Sequence, residues 1–171
     1  MREKGKDIIQ MERLFSVQRK LDERIEREHQ LENKDLFSDK VLAFMTEVGE
    51  LANETRCFKF WSRKPPSERE IILEEYVDGI HFLLSLGLEC GFEEIPPFPN
   101  EEREETPLQL HFLHVFQCAS QFHESPNRET YHHLFAEYLK LGEGIGFTKD
   151  EVERAYYEKN EINHQRQTEG Y

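Results

Sequence analysis

An all-α fold, a helical bundle, is predicted for this 171-residue chain, and three observations predict it. Apolar residues recur at three- and four-residue spacing along most of the chain, and almost no stretch alternates with the period of two that marks a strand. The periodic segments are separated by explicit breakers, "SRKPPSE", "FEEIPPFPNEEREETP", "ESPN" and "GEGIGFTKD". Composition agrees: 33% charged and 37% hydrophobic residues, with 13 Phe, suit a soluble helical protein with a sizeable core. A single domain over residues 1–171 is expected.

Six helices follow from the pattern, at roughly 8–31, 36–57, 67–91, 107–123, 128–142 and 148–167. In the first, Leu14, Val17, Leu21 and Ile25 form an apolar seam with Gln18 inside it. The second is expected to start at Ser38 as its cap, with Val41, Phe44, Met45, Val48 and Ala52 facing inward. The third is capped by Ser67, with Glu70 three residues on, and is apolar over more than half its circumference. The fourth and fifth are separated by "ESPN". The "GEGIG" run that ends the fifth lacks a GK[ST] ending and follows a helix, so it reads as a helix C-cap and turn and not a phosphate loop. The sixth opens on Thr148 with Glu151 and presents Tyr156, Lys159, Asn160, Asn163 and Arg166 beside the inward-facing Val152.

Charge and cysteine usage exclude several function classes. A formal net charge of −13 repels phosphate backbones, which argues against nucleic-acid binding. It also repels a free nucleotide unless divalent cations intervene. Cys57, Cys90 and Cys118 are scattered and odd in number, so neither a disulfide framework nor a zinc knuckle is indicated. No signal-peptide-like run and no segment of 18 apolar residues occurs, so no membrane association and a cytoplasmic setting are expected.

The chemistry concentrates in two acidic pairs. Glu47, Glu50 and Glu54 form one stripe on the second helix, a spacing that costs stability through like-charge repulsion unless something positive faces it. On the third helix, Glu75 and Asp78 occupy the one stripe left by the apolar residues, with Phe82 a turn further. Buried carboxylates must be paired or bind metal. The "KPPSE" turn should make these helices antiparallel neighbours and bring ExxE (47, 50) against ExxD (75, 78). Four oxygen donors without His suit a hard cation such as Mg²⁺, and paired ions of this kind serve in-line attack on phosphate esters.

"EVGELANETRCFKFWS" followed by "ILEEYVDGIHFLLSLGLE" closely resembles the dimeric all-α dUTPases, a branch of the all-α NTP pyrophosphohydrolases that includes MazG-like enzymes. ExxE…ExxD marks the whole superfamily; "LANE", "CFKFW" and "YVDGIHF" narrow it to the dUTPase branch. The resemblance runs from about Gln18 to the C-terminal "YYEKNEINHQRQTEGY". It implies Mg²⁺-dependent hydrolysis of dUTP, with dUDP a further substrate, to dUMP and pyrophosphate, which limits uracil in DNA. It also implies a homodimer and two or more Mg²⁺ ions, replaceable by Mn²⁺, on Glu47, Glu50, Glu75 and Asp78. A metal-activated water would attack the α-phosphorus, with Glu47 or Glu50 as the base.

The same resemblance raises other residues above ordinary packing. Gln18 would meet the uracil edge and Trp61 would belong to the base pocket; Phe82, one turn after Asp78, reads either as a ring that packs on the sugar and excludes a 2′-hydroxyl or as core packing. Asn53 and His81 are weaker candidates, His81 as a support for a carboxylate. Tyr156, Lys159, Asn160, Asn163 and Arg166 would line the phosphates, where Arg can bind bidentately. Three alternatives stand beside this reading: dCTP or broad nucleotide specificity on the same metal site, a non-catalytic helical interaction protein, and a di-iron bundle built on Glu26–His29, Glu129–His132 and Asp78–His81.

Overall fold

A computed structural model describes residues 3–99 and 106–170; residues 100–105, within the acidic insert, lie outside the described residues. Six helices follow in chain order: α1 (Glu3–Glu28), α2 (Phe37–Thr55), α3 (Arg69–Cys90), α4 (Leu108–Glu124), α5 (Arg128–Ile145) and α6 (Lys149–Glu169). Among the described residues there is no strand. Two helix pairs, α2–α3 and α4–α5, make the most extensive contacts, and α3 also packs on α1, α5 and α6.

The apolar circumference of α3 explains its central place. Ile72, Val77, Leu83, Leu84 and Leu86 are all buried, as are its glycines Gly79 and Gly87. Its own chain thus encloses most of α3, while Ile71 near its start stays exposed. Close approach to α5 rests on two reciprocal glycine sites. A Cβ at Gly79 would collide with the Tyr138 ring, and one at Gly142 with the Tyr76 ring. The stacked rings, 4.7 Å apart, each donate a hydroxyl to the other helix's backbone: Tyr76 to the Tyr138 carbonyl at 3.1 Å, Tyr138 to the Tyr76 carbonyl at 2.8 Å. These bonds brace α3 two residues before Asp78.

Two anticipated caps do not form, and the reason is local competition. The Asp35 carboxylate accepts the Phe37 N–H at 3.0 Å, so the cap position falls two residues earlier, on Leu36, and Ser38 turns to His123 Nε2, 3.0 Å away. Ser67 spends its hydroxyl on the Glu54 carboxylate and its N–H on the Glu54 carbonyl, closing the α2–α3 loop, and α3 begins at Arg69. Glu54 thus belongs to the hairpin and not to the acidic site. Thr148 and Glu151 do form a capping box. So do Asn127 and Thr130. The fifth helix runs three residues further than expected, because Gly142 and Gly144 stay helical and only Gly146, at φ 106°, caps it.

Candidate active site

The Lys40–Glu89 ion pair at one end of the α2–α3 hairpin (2.6 Å) and the Glu54–Ser67 contact at the other show that the two helices run antiparallel. This register brings Glu47 opposite Glu75 and Asp78: one carboxylate oxygen of each lies within 4.8 Å of the others. Glu50, a turn beyond Glu47, is exposed and stands beside this triad rather than in it, although its charge and a side-chain hydrogen bond act on Glu47.

Electrostatics mark the triad as a place that lacks positive charge. Burial, followed by the charges of Asp78, Glu50 and Glu75, pushes the Glu47 carboxyl up to about 8. Glu75 rises to about 7 through burial and then Asp78 and Glu50. Asp78 is also raised, by burial, against the opposing pull of Lys159. The Lys159 ammonium lies 3.0 Å from Asp78 Oδ2 and 2.7 Å from Glu74 Oε1. Burial alone would depress it, but those two carboxylates hold it above its ordinary value. The donor set is all oxygen, partly open and short of cation, and so fits Mg²⁺.

A cleft of about 210 Å³ begins at this triad. Glu47, Asp78 and Lys159 stand at one side with Phe82, Asn163 and Arg166; Gln18, Asp22, His81 and Ser85 form the polar part of the wall. It is smaller than the roughly 300–1,000 Å³ typical of sites that enclose a whole ligand, so it suits one end of a molecule whose remainder crosses the carboxylates. A larger hollow of about 500 Å³, around Tyr76, Gly142 and Phe147, carries no such convergence of charged groups.

The polar wall is a hydrogen-bonded chain anchored on Gln18, which is 3% exposed. Its Oε1 accepts from His81 Nδ1 at 2.8 Å and from the Tyr156 hydroxyl at 3.0 Å, and its Nε2 donates to Asp22 Oδ1 at 2.8 Å. Gln18 therefore reaches a ligand with at most one remaining N–H. His81, stacked on Tyr156 at 4.3 Å, is pushed down to about 3 by burial and the nearby Lys159, so it is neutral. Among the described residues, three buried side-chain atoms, Asp22 Oδ2, His81 Nε2 and Asn160 Nδ2, lack a hydrogen bond of good geometry. Leaving such groups unmade is costly, and two of them belong to residues of the cleft wall.

Gln18, Phe82, Lys159, Asn163 and Arg166 thus come together with Glu47 and Asp78, whereas Tyr156 and Asn160 are buried behind them. Trp61 is not brought in. It is 65% exposed on the α2–α3 loop, in an aromatic group with Phe58 and Phe60. Asn53 is exposed on α2. The di-iron arrangement does not assemble: Glu26 lies 3.6 Å from Lys40, and His81 turns to Gln18. Sequence reasoning missed Glu74, Asp22 and Ser85. For the last two a signal existed, since Asp22 is four residues from Gln18 and Ser85 four from His81, each one helical turn away.

A family model described as dUTPase matches residues 10–171. No match was found among curated proteins.

Proposed function

The chain belongs to the dUTPase family, hydrolases with dUTP diphosphatase activity, and from that premise we propose how its own residues perform the reaction. The observation that carries the reading is the convergence of Glu47, Glu75 and Asp78, two of which, Glu47 and Asp78, line a cleft with a polar, hydrogen-bonded wall. Glu47, Glu50, Glu75 and Asp78 would hold two or more Mg²⁺ ions, or Mn²⁺ in their place. Bound there, the cation supplies charge to offset a polyphosphate and lowers the pKa of water for attack at the α-phosphorus.

Glu47 or Glu50 would take the proton of the attacking water. Lys159, held at Asp78, and Arg166, in the same wall, would pair with phosphate oxygens as dUMP and pyrophosphate separate along the carboxylate face. The base would enter the cleft. Its imide N–H needs an acceptor, and Asp22 Oδ2 and His81 Nε2 are buried acceptors that lack a hydrogen bond of good geometry. Cytosine lacks that ring N–H and would have to meet the same acceptors through its 4-amino group, at a different place on the ring. Phe82 would lie against the sugar.

The large apolar groups left uncovered, Leu42, Phe60 and Ile71 among them, support a homodimer formed through the α2–α3 side. Trp61, in the same exposed loop, would fold over the nucleotide. The deciding measurement is pyrophosphate release with Mg²⁺ and each of dUTP, dUDP, UTP, dCTP and dTTP. Phosphate rather than pyrophosphate is the product to look for with dUDP. The expected order places dUTP first by at least about tenfold over UTP and dCTP, the minimum set by one unpaired buried polar group. Equal rates on dCTP would favour the broad-specificity reading.

A further inference from the structure

We propose that His114, Cys118 and His133 form a second metal site, distinct from the carboxylate site, for a dication of the zinc class. His114 and Cys118 stand one turn apart on α4, and His133 faces them from α5. One ligating atom of each lies within 4.8 Å of the others, and the two imidazoles meet edge to face at 5.7 Å. The Cys118 thiol is free and only 3% exposed, while both imidazoles are exposed, so an ion has a path in and a buried sulfur at the end of it. Beside them, the buried Glu137 carboxylate lies 3.3 Å from His114 Nδ1 and 2.9 Å from Lys140 Nζ.

The donor chemistry selects the ion. Two imidazoles and a thiolate suit Zn²⁺, Co²⁺ and their neighbours, and are wrong for Mg²⁺, which seeks oxygen. Tetrahedral bonds of about 2.0–2.3 Å place ligand atoms about 3.3–3.8 Å apart. The site therefore needs closure by at most about 1.5 Å, which rotation of the exposed imidazoles can supply. Binding releases the thiol proton to solvent. A thiolate together with the adjacent Glu137 carboxylate balances the charge of the dication, and water or Glu137 completes the fourth position. Such an ion would tie α4 to α5, the helix whose Tyr131 and Tyr138 hydroxyls donate to the Leu83 and Tyr76 carbonyls of α3.

Cobalt is the probe, titrated into the full chain with excess Mg²⁺ present to occupy the carboxylates. One equivalent should produce a thiolate-to-metal charge-transfer band with tetrahedral d–d absorption, and Zn²⁺ should bleach both. Cys118→Ser should lose the charge-transfer band. His133→Ala, at an exposed position and therefore folded, should weaken binding at least about tenfold while leaving dUTP turnover in Mg²⁺ unchanged. Zinc at a hundred times its dissociation constant should raise the wild-type melting temperature by about 5–10 °C, and that of His133→Ala far less. Absence of the charge-transfer band, or a band of full strength and affinity in His133→Ala, overturns the site; the latter assigns the metal to Cys57 or Cys90. If Cys118→Ser does not fold, His133→Ala decides the matter alone. A failed dUTP assay would leave these optical results unaffected.

Discussion

Replacing Glu47 by Gln should make the metal-free protein more stable at alkaline pH while removing its turnover. The folded-state carboxyl is pushed up to about 8 from an ordinary 4.5, so between those values the native state binds more protons than the unfolded one. Stability then falls as pH rises, and the loss is complete above about pH 8 and absent below about 4.5. Taken at face value the shift is worth about 4.8 kcal/mol, at 1.36 kcal/mol per unit. Glu47 is only half-buried and shares its field with Glu75 and Asp78, so solvent screening reduces this to roughly 1–2 kcal/mol. In a chain of this size that is a melting-temperature gain of roughly 2–8 °C. Thermal unfolding in EDTA, at pH 5 and pH 8.5, measures it: the variant should exceed wild type at pH 8.5 and converge on it at pH 5. Added Mg²⁺ should raise wild type at pH 8.5 more than Glu47→Gln. A variant no more stable than wild type at pH 8.5, or equally stabilised at both pH values, would refute the claim that crowded charge strains this site.

Asp78→Ala should cut Mg²⁺-dependent kcat/KM for dUTP by about 10²–10³, the scale for removing one electrostatic stabiliser, with helical circular dichroism retained; near-wild-type turnover would take Asp78 out of the metal shell. Phe82→Ala should shrink the dUTP-over-UTP preference mainly by gaining UTP activity, and an unchanged ratio with lower stability would make the ring a packing element. Gly79→Ala should destabilise by about 1–3 kcal/mol through collision with the Tyr138 ring, read as a lower denaturation midpoint at unchanged slope. Light scattering at micromolar concentration should report about twice the 20.5 kDa chain mass, and an active monomer would remove the second subunit from the proposal. Trp61 is the single Trp, so its emission should shift to the blue when a non-hydrolysable dUTP analogue binds with Mg²⁺; constant emission would leave it outside the base pocket.

Periodicity alone was enough to place six helices, because each buries one face and local spacing records which. The acidic pairs were legible for the same reason: on α3 the carboxylates sit on the only stripe that apolar residues leave free, and burial of charge is visible before any coordinates exist. Partners were not legible. That Glu47 rather than Glu50 joins Glu75 and Asp78 depends on hairpin register. That Glu54 is spent on Ser67, and Gln18 on His81, Tyr156 and Asp22, depends on which side chains other helices bring within 3 Å or so. The spacing of the three cysteines indicates neither a disulfide framework nor a zinc knuckle, and it cannot show that His133 on α5 comes close to His114 and Cys118 on α4. The sequence determined the helices and which of their faces are charged, since both are properties of residues a turn apart. Tertiary structure alone decided which of those charges meet, because a hydrogen bond or a metal ligand set is fixed by angstroms across helices that sequence separation does not encode.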